Sequence, residues 1–384
     1  MGEIYQKSPL MKILILSWRG PGHPHEGGAE KVTHIYAKSW ASLGHEVTLF
    51  TSAFTGSKNL EYVDGVKVIR RGSQAFGVKI AAFLWYLFEN LDKFDLVFDH
   101  FHGIPFFTPI YVRSRKIAFI HEVATQVWSL NTWPKPLNLM PAIIGRYGEP
   151  FVFKIYAGCE FLTVSNSTKS DLVNFGVDEK LITVINNGVE VDSTNSKSRM
   201  VKNKLFTVTY LGAIAKDKGI EDALKAFSIS YKQDGDMQMW IVGKGHGDYV
   251  EELVRECKKI GIDKAVKFWG FVSDRKKCEL LSKSSLLLNL SIHEGWGLVN
   301  IEANSFAVPV IGYKVSGTVD SVVDGETGVL CDKGNVESVS NAILELKNDV
   351  KKYTLLSKGA KRWSEKFSWK NSVSKSIELI NKYE

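Results

Sequence analysis

The stretch Ser285-Leu286-Leu287-Leu288-Asn289-Leu290-Ser291-Ile292-His293-Glu294-Gly295-Trp296-Gly297-Leu298-Val299-Asn300-Ile301-Glu302 decides the fold. Leu286 to Leu290 is the apolar run of a buried parallel strand. His293 to Gly297 is a glycine loop, and Leu298 to Ala303 has the periodicity of a helix. Strand, glycine loop and helix start follow one another, and an open α/β sheet takes its ligand at such a junction, beyond the carboxyl end of a strand. The glycines allow close backbone approach, and the first N–H groups of the helix favour a phosphate. Glu302, about one turn into the helix, suits the paired hydroxyls of a ribose. Glu294 precedes the helix and points elsewhere, toward a second polyol. Ribose, diphosphate and sugar together make a nucleotide-sugar.

Two carboxylates eight apart straddle this turn, and a second apolar strand, Val308 to Ile311, follows. The pattern resembles the Glu-x7-Glu signature of glycosyltransferase family 4, whose members are retaining enzymes of the GT-B fold. Gly317-Thr-Val-Asp-Ser-Val-Val-Asp-Gly-Glu-Thr-Gly-Val-Leu330 continues the likeness. The resemblance implies two Rossmann-like doubly wound α/β domains facing a central cleft.

Working outward, the 384 residues suit two domains. The chain is 44% hydrophobic and 24% charged, the balance of a soluble globular protein. Its net charge of +7 is scattered among acids, unlike the dense stripe that nucleic acid requires. Weak peripheral attraction to an anionic membrane fits the charge. Cys159, Cys257, Cys278 and Cys331 show neither disulfide nor zinc spacing, so free thiols in a cytoplasmic protein, free in solution or at the cytoplasmic membrane face, are expected. The first ten residues read as an extension without the pattern of a signal peptide, and no uncharged run reaches membrane-spanning length.

Lys12–Ser17, a glycine loop, a helix over 29–43 and a strand over 45–50 form a βαβ unit. Gly20-Pro21-Gly22 is followed by His23-Pro24-His25, so the dinucleotide fingerprint fails. Gly27-Gly28-Ala29-Glu30 instead resembles the family loop beside the donor diphosphate. Further strands are expected at 66–70, 95–99, 116–120, 161–164 and 181–185. The aromatic segment Phe76–Asn90 reads as a helix packed into the core, with a membrane-facing stripe as the lesser reading. Val123–Pro150, rich in Trp and Pro, reads as a substrate-lining segment or a packed connector. Asn187-Gly188 reads as a turn.

The first domain is expected over 1–190, a polar linker over 191–204, and the second domain over 205–366, with strands at 206–211, 239–242 and 266–269. Residues 367–384 resemble the family's C-terminal helix that crosses back to the first domain.

The resemblance implies roles. His121 would reach the transferred sugar, Glu294 would hold its hydroxyls, and Lys218 would meet the diphosphate. Gly27, Gly28, Gly212, Gly243, the backbone at Val272, and Gly295, Trp296, Gly297, Leu298 and Glu302 would complete the donor site. Ala213 falls in that site where the family usually carries Arg, leaving Lys218, Lys216 or Arg19 to balance the phosphates. His100, His102 and Trp128 are placed near the acceptor. The His-x-His pair lacks a carboxylate at ligand spacing, which disfavours a metal there, and the resemblance implies no required metal or other cofactor.

A retaining hexosyl transfer from a nucleotide-diphosphate-sugar to a hydroxyl of a glycan, glycolipid or lipid-linked sugar follows from the resemblance. A paired-carboxylate hydrolase is disfavoured, because Glu294 and Glu302 lie on opposite sides of a turn. An epimerase or hydrolase of nucleotide-sugars, or a weakened binding protein, are the alternatives.

Overall fold

Fourteen strands arrange themselves into two sheets among the described residues, 10–74, 76–90, 93–101, 103–123, 139–190 and 205–383 of a computed structural model. The chain divides into two units: residues up to Asn187 together with those from Lys370, and Gly188–Trp369.

In the first unit the strands are β1 (Lys12–Leu16), β2 (Glu46–Thr51), β3 (Leu60–Val63), β4 (Val66–Arg70), β5 (Leu96–Phe101), β6 (Arg115–Ile120), β7 (Glu160–Thr163) and β8 (Ile182–Val184). Their order is β3-β4-β2-β1-β5-β6-β7-β8. All pairings are parallel except β3 with β4. The β3 strand of this unit and the strand Gly328–Cys331 of the other are the two the sequence pattern hid; β3 is a half-exposed edge, and its alternation is too short to stand out.

Registers Leu14↔Val97, Asp99↔Ala118 and Ala118↔Phe161 put these residues on one sheet face. The helix Phe76–Leu84 packs there through Val78 and Ala82 against Leu14, Leu16 and Val97. The helix Leu139–Ile155 packs on the same face through Phe153, against Phe101, Ala118 and Phe161. From residue 139 onward the segment Val123–Pro150, read from sequence as substrate-lining or a packed connector, is this helix. Pro150 lies inside it, where a proline forfeits one intrahelical bond without ending the helix. Core packing of Phe76–Asn90 holds for one side only: Val78, Ala82 and Trp85 are buried, while Phe76, Ile80 and Phe88 are exposed.

The C-terminal helix Trp369–Asn381 joins the first unit from Lys370 on, where Trp40 Nε1 donates to Ser376 Oγ at 3.2 Å and Ser372 Oγ to the Asn186 carbonyl at 2.6 Å.

In the second unit β9 (Phe206–Leu211), β10 (Met237–Val242), β11 (Val266–Gly270), β12 (Leu286–Asn289), β13 (Val310–Tyr313) and β14 (Gly328–Cys331) form an all-parallel sheet ordered β11-β10-β9-β12-β13-β14. Leu286, Leu287 and Leu288 are fully enclosed, each burial contributing about 1.5–3 kcal/mol. The order reverses at β9 and β12, so the loops after these two strands open where such sheets bind ligands.

Asn187-Gly188 is not a turn. The chain runs on into a bridge between Val189 and Ser368. A Cβ on Gly188 would lie 2.2 Å from the Trp369 nitrogen, so glycine is there for close chain approach. The expected linker 191–204, residues 1–9 of the N-terminal extension, Trp128 and His102 lie outside the described residues. The four cysteines are free thiols. No helix among the described residues is long and apolar enough to cross a membrane.

Candidate functional site

The loop after β12 is pinned from three sides. Asn289 Nδ2 donates to Asn300 Oδ1 at 3.0 Å, and Asn300 Nδ2 donates to Ser321 Oγ at 2.9 Å. These side chains are buried, and satisfied amide networks in the interior specify one arrangement. The Glu294 N–H donates to the Ser316 carbonyl at 3.2 Å, and the Ile292 N–H to the Asp217 carbonyl at 3.0 Å. The second bond ties the loop to the one after β9. Gly219, with φ of +69°, sits where a Cβ would lie 1.9 Å from the Leu290 oxygen. The helix Leu298–Ser305 then starts with no side-chain cap; the Asn300 N–H donates to the Gly297 carbonyl at 2.9 Å, and the N–H groups ahead of it precede the helix's own bonding.

This geometry brings Lys218 to Glu294. Lys218 Nζ lies 3.2 Å from Glu294 Oε1, which also accepts from Ser291 Oγ at 2.6 Å. Both side chains keep partial solvent access. An ammonium and a carboxylate, each able to exchange its partner for a ligand group, therefore stand at the head of a helix.

Glu302 stands apart, on the helix itself. Its Oε1 accepts from Lys277 Nζ at 2.7 Å, and Lys277 also reaches Asp274 at 3.0 Å. Burial opposes the charge on Lys277, but the Glu302 and Asp274 carboxylates outweigh it and hold the proton more firmly than water does.

The side chain of Ala213 is exposed, and its carbonyl accepts from Tyr210 Oη at 2.6 Å. The neighbouring chain is Gly243-Lys244-Gly245: the Ile214 N–H donates to the Lys244 carbonyl at 2.8 Å, and Gly212 to Val242 at 3.0 Å. A Cβ on Gly243 would lie 1.7 Å from the Gly212 oxygen, so these loops need glycine to pack. Lys216 lies over the Tyr249 ring at 5.8 Å. Val272 packs its side chain against Trp240, Val242 and Leu280, leaving its backbone as its offering to a ligand. The Trp296 ring is buried edge-on to Phe367 at 5.0 Å, so it too presents backbone.

In the first unit, Glu30 organises the glycine loop. It accepts from Trp18 Nε1 at 3.1 Å, Arg19 Nε at 3.0 Å and the Gly27 N–H at 2.7 Å. Arg19 also donates to the His25 carbonyl. Gly28, at the helix start, faces open space. At the strand ends, His100 Nδ1 lies 2.9 Å from Ser17 Oγ, and the His100 and His121 rings meet edge to face at 4.9 Å. Burial lowers the His121 pKa to about 3, so its imidazole is neutral near pH 7. Asp99 anchors the same edge from below, accepting from the Phe106 and Thr108 N–H groups, Thr108 Oγ1 and Tyr156 Oη. No group of three His, Cys, Asp or Glu side chains converges as a metal site among the described residues.

Two sequence profiles meet end to end on this chain. One described as "Glycosyltransferase Family 4" matches residues 26–193, and one described as "Glycosyl transferases group 1" matches residues 192–363. The chain belongs to glycosyltransferase family 4. This glycosyltransferase is 28% identical over 229 residues to the capsular polysaccharide biosynthesis glycosyltransferase CapM of Staphylococcus aureus, over 56% of its own length and 59% of that protein's. It is 23% identical to a Mycobacterium tuberculosis glycogen synthase over 88% of its length and 86% of the synthase. Among solved structures it is similar to Anabaena HepE in complex with UDP-glucose (TM-score 0.72, 18% identity, 97% of this chain and 100% of that one). It is also similar to the sucrose-phosphate synthase of Thermosynechococcus elongatus (TM-score 0.77, 18% identity, 97% and 98%). These likenesses give the glycosyltransferase the GT-B fold.

Of the residues singled out from sequence, the second unit of the glycosyltransferase gathers Lys218, Glu294 and the 295–298 backbone into one place, with Glu302 on the same helix. Gly212, Ala213 and Gly243 line the adjoining strand ends. In the first unit, Gly27 and Gly28 lie at the start of the helix Gly28–Ser42, and His100 and His121 at the ends of β5 and β6. Sequence reasoning missed Lys277, the Asn289–Asn300–Ser321 chain and the Arg19–Glu30 clamp. Lys277 had one local signal, its place three residues after Asp274 behind the Ser273 cap, and that signal says nothing of Glu302.

Proposed function

We propose that this glycosyltransferase moves a hexose from a nucleotide-diphosphate-sugar to a hydroxyl acceptor with retention at the anomeric carbon. The observation that carries the reading is the Lys218–Glu294 pair at the uncapped start of Leu298–Ser305. A diphosphate entering there competes for Lys218 and accepts from the helix N–H groups. Glu294, released from Lys218, accepts from the sugar hydroxyls, and Glu302 from the ribose. As the anomeric bond to the diphosphate breaks, Lys218 offsets the charge growing on the leaving oxygen. The acceptor hydroxyl attacks from the same face and gives its proton to a departing phosphate oxygen. The chain needs no nucleophile of its own on this route, and its own cation and backbone dipoles take the place of a resident metal. Neutral His121 suits a hydrogen-bonding role toward the sugar.

The similarity to HepE bound to UDP-glucose and to the capsule enzyme CapM supports a uridine donor and a cell-surface glycan or glycolipid acceptor. Calorimetric titration with UDP, GDP and ADP tests the donor site without any acceptor. UDP is expected to bind, and Lys218→Ala and Glu302→Ala each to weaken it about tenfold, the equivalent of about 1.4 kcal/mol. Absence of binding by all three nucleotides would overturn the reading. Donor turnover with no acceptor present would assign the site to hydrolysis or epimerisation instead.

A further inference from the structure

The outer layer of the first unit carries apolar side chains that its core does not use. Phe76–Leu84 and the π-helical turn Trp85–Glu89 expose Phe76, Ile80, Phe83, Leu84, Leu87 and Phe88, from 38% at Phe83 to 75% at Phe88. Leu139–Ile155 exposes Met140, Ile143, Tyr147, Phe151 and Ile155, spaced three or four residues apart. That spacing is one continuous helix stripe. Both helices lie on the same sheet face, as their shared packing on β1, β5, β6 and β7 requires. The short helix Thr108–Tyr111 also lies there: Thr108 bonds Asp99 on that face, Tyr111 meets Phe83 at 5.1 Å, and Ile110 stands exposed. More than half of the exposed large hydrophobic residues among those described fall in this layer. Apolar exposure on this scale, carried by elements of one sheet face, marks an interaction surface.

Charge selects the occupant. Lys154 is exposed on the long helix with its ammonium 5.0 Å from the Phe151 ring, and Arg113 is exposed two residues beyond the short helix Thr108–Tyr111. The exposed acid among the described residues of these elements is Glu89, which pairs with Arg71. Glu149 is buried. Aromatic and aliphatic side chains with basic residues between them, and acids neutralised or withdrawn, suit an anionic lipid surface. A protein partner of ordinary composition would leave so apolar a layer without polar contacts.

We propose that this face is a membrane-docking surface, inserting the two helix stripes among the acyl chains of an anionic leaflet while Arg113 and Lys154 meet the headgroups. The surface is independent of the donor site in the other unit and needs no nucleotide.

Sedimentation with vesicles of phosphatidylcholine, with and without phosphatidylglycerol, tests this. The wild type is expected to partition onto the anionic vesicles and weakly onto the neutral ones. The combined variant Phe76→Ser, Phe88→Ser, Ile143→Ser, Phe151→Ser is expected to lose roughly tenfold or more in partition. Leu355→Ser, an exposed leucine of the other unit, is expected to bind as wild type does. Hydrogen exchange of the wild type with vesicles keeps the test open should the combined variant fold poorly: new protection is expected over 76–88 and 140–155. Failure of the wild type to partition, equal partition by the combined variant, or protection elsewhere would overturn the proposal. So would light scattering that shows a dimer broken by the four substitutions, which would assign the face to a second copy.

Discussion

Lys277 holds Glu302 in place. The pair sits at 2.7 Å with both side chains mostly covered, so losing the ammonium would leave a half-buried carboxylate without its cation. Lys277→Met is expected to weaken nucleotide binding about three- to tenfold while changing kcat little, because Lys277 acts through Glu302 and not on the reacting atoms. Titration of the variant with UDP beside steady-state kinetics checks this, and Lys277→Arg should restore part of the loss. Position 213 is the opposite case, a site where charge is missing. The methyl is exposed, so a guanidinium there would keep its hydration, and Lys244 lies on the adjacent chain. Ala213→Arg is expected to tighten UDP severalfold, and Lys244→Ala to weaken it, both by charge on the diphosphate. Unchanged affinity in both would remove position 213 and its neighbour from the donor site. Glu294, Glu302 and Lys218 were legible because a carboxylate or a lysine beside a glycine loop is a local pattern. Lys277 was not, because its partner lies twenty-five residues on, across a fold that only tertiary packing defines.

At the scale of elements, the end of β6 carries the pH response. His121 is buried among Phe119 and His100, and burial takes its pKa from 6.5 to about 3. In the unfolded chain it protonates near 6.5, so between that pH and about 3 the unfolded state binds one more proton. Folding stability contributed by neutral His121 is thus present above pH 6.5 and lost on acidification, by about 1.4 kcal/mol per pH unit. Urea melts between pH 7 and 5 should show that slope diminished in His121→Gln, and an unchanged slope would move the effect to another group. The strands were readable for the same reason that β6 is dry: parallel strands covered on both faces are unbroken apolar runs. The helix Leu139–Ile155 was not, since Pro141 and Pro150 are breakers by local rule and only packing of Phe153 against Phe101 overrides them. Edge strand β3 escaped because half-exposed strands give weak patterns.

At the scale of the whole molecule, each sheet has its own core. Leu286, Leu288, Ile311, Phe227 and Ile241 belong to one unit, while Leu14, Val97 and Phe101 belong to the other. Chains built this way need not melt as one cooperative body. A ligand that binds only one unit stabilises that unit by mass action, about 2.7 kcal/mol at one hundred times its dissociation constant. UDP bound as proposed, by groups of the second unit, should therefore slow hydrogen exchange of β9, β12 and the helix Leu298–Ser305 and leave the slow amides of β1 and β5 as they were. Lys218→Ala should erase the difference at the same nucleotide concentration. A uniform rise in protection through both sheets would mean that the two cores open together, so that nucleotide in one unit governs the stability of the other. Protection confined to β1, β5 and β6 would place the nucleotide on the first unit and reverse the assignment of donor and acceptor sides.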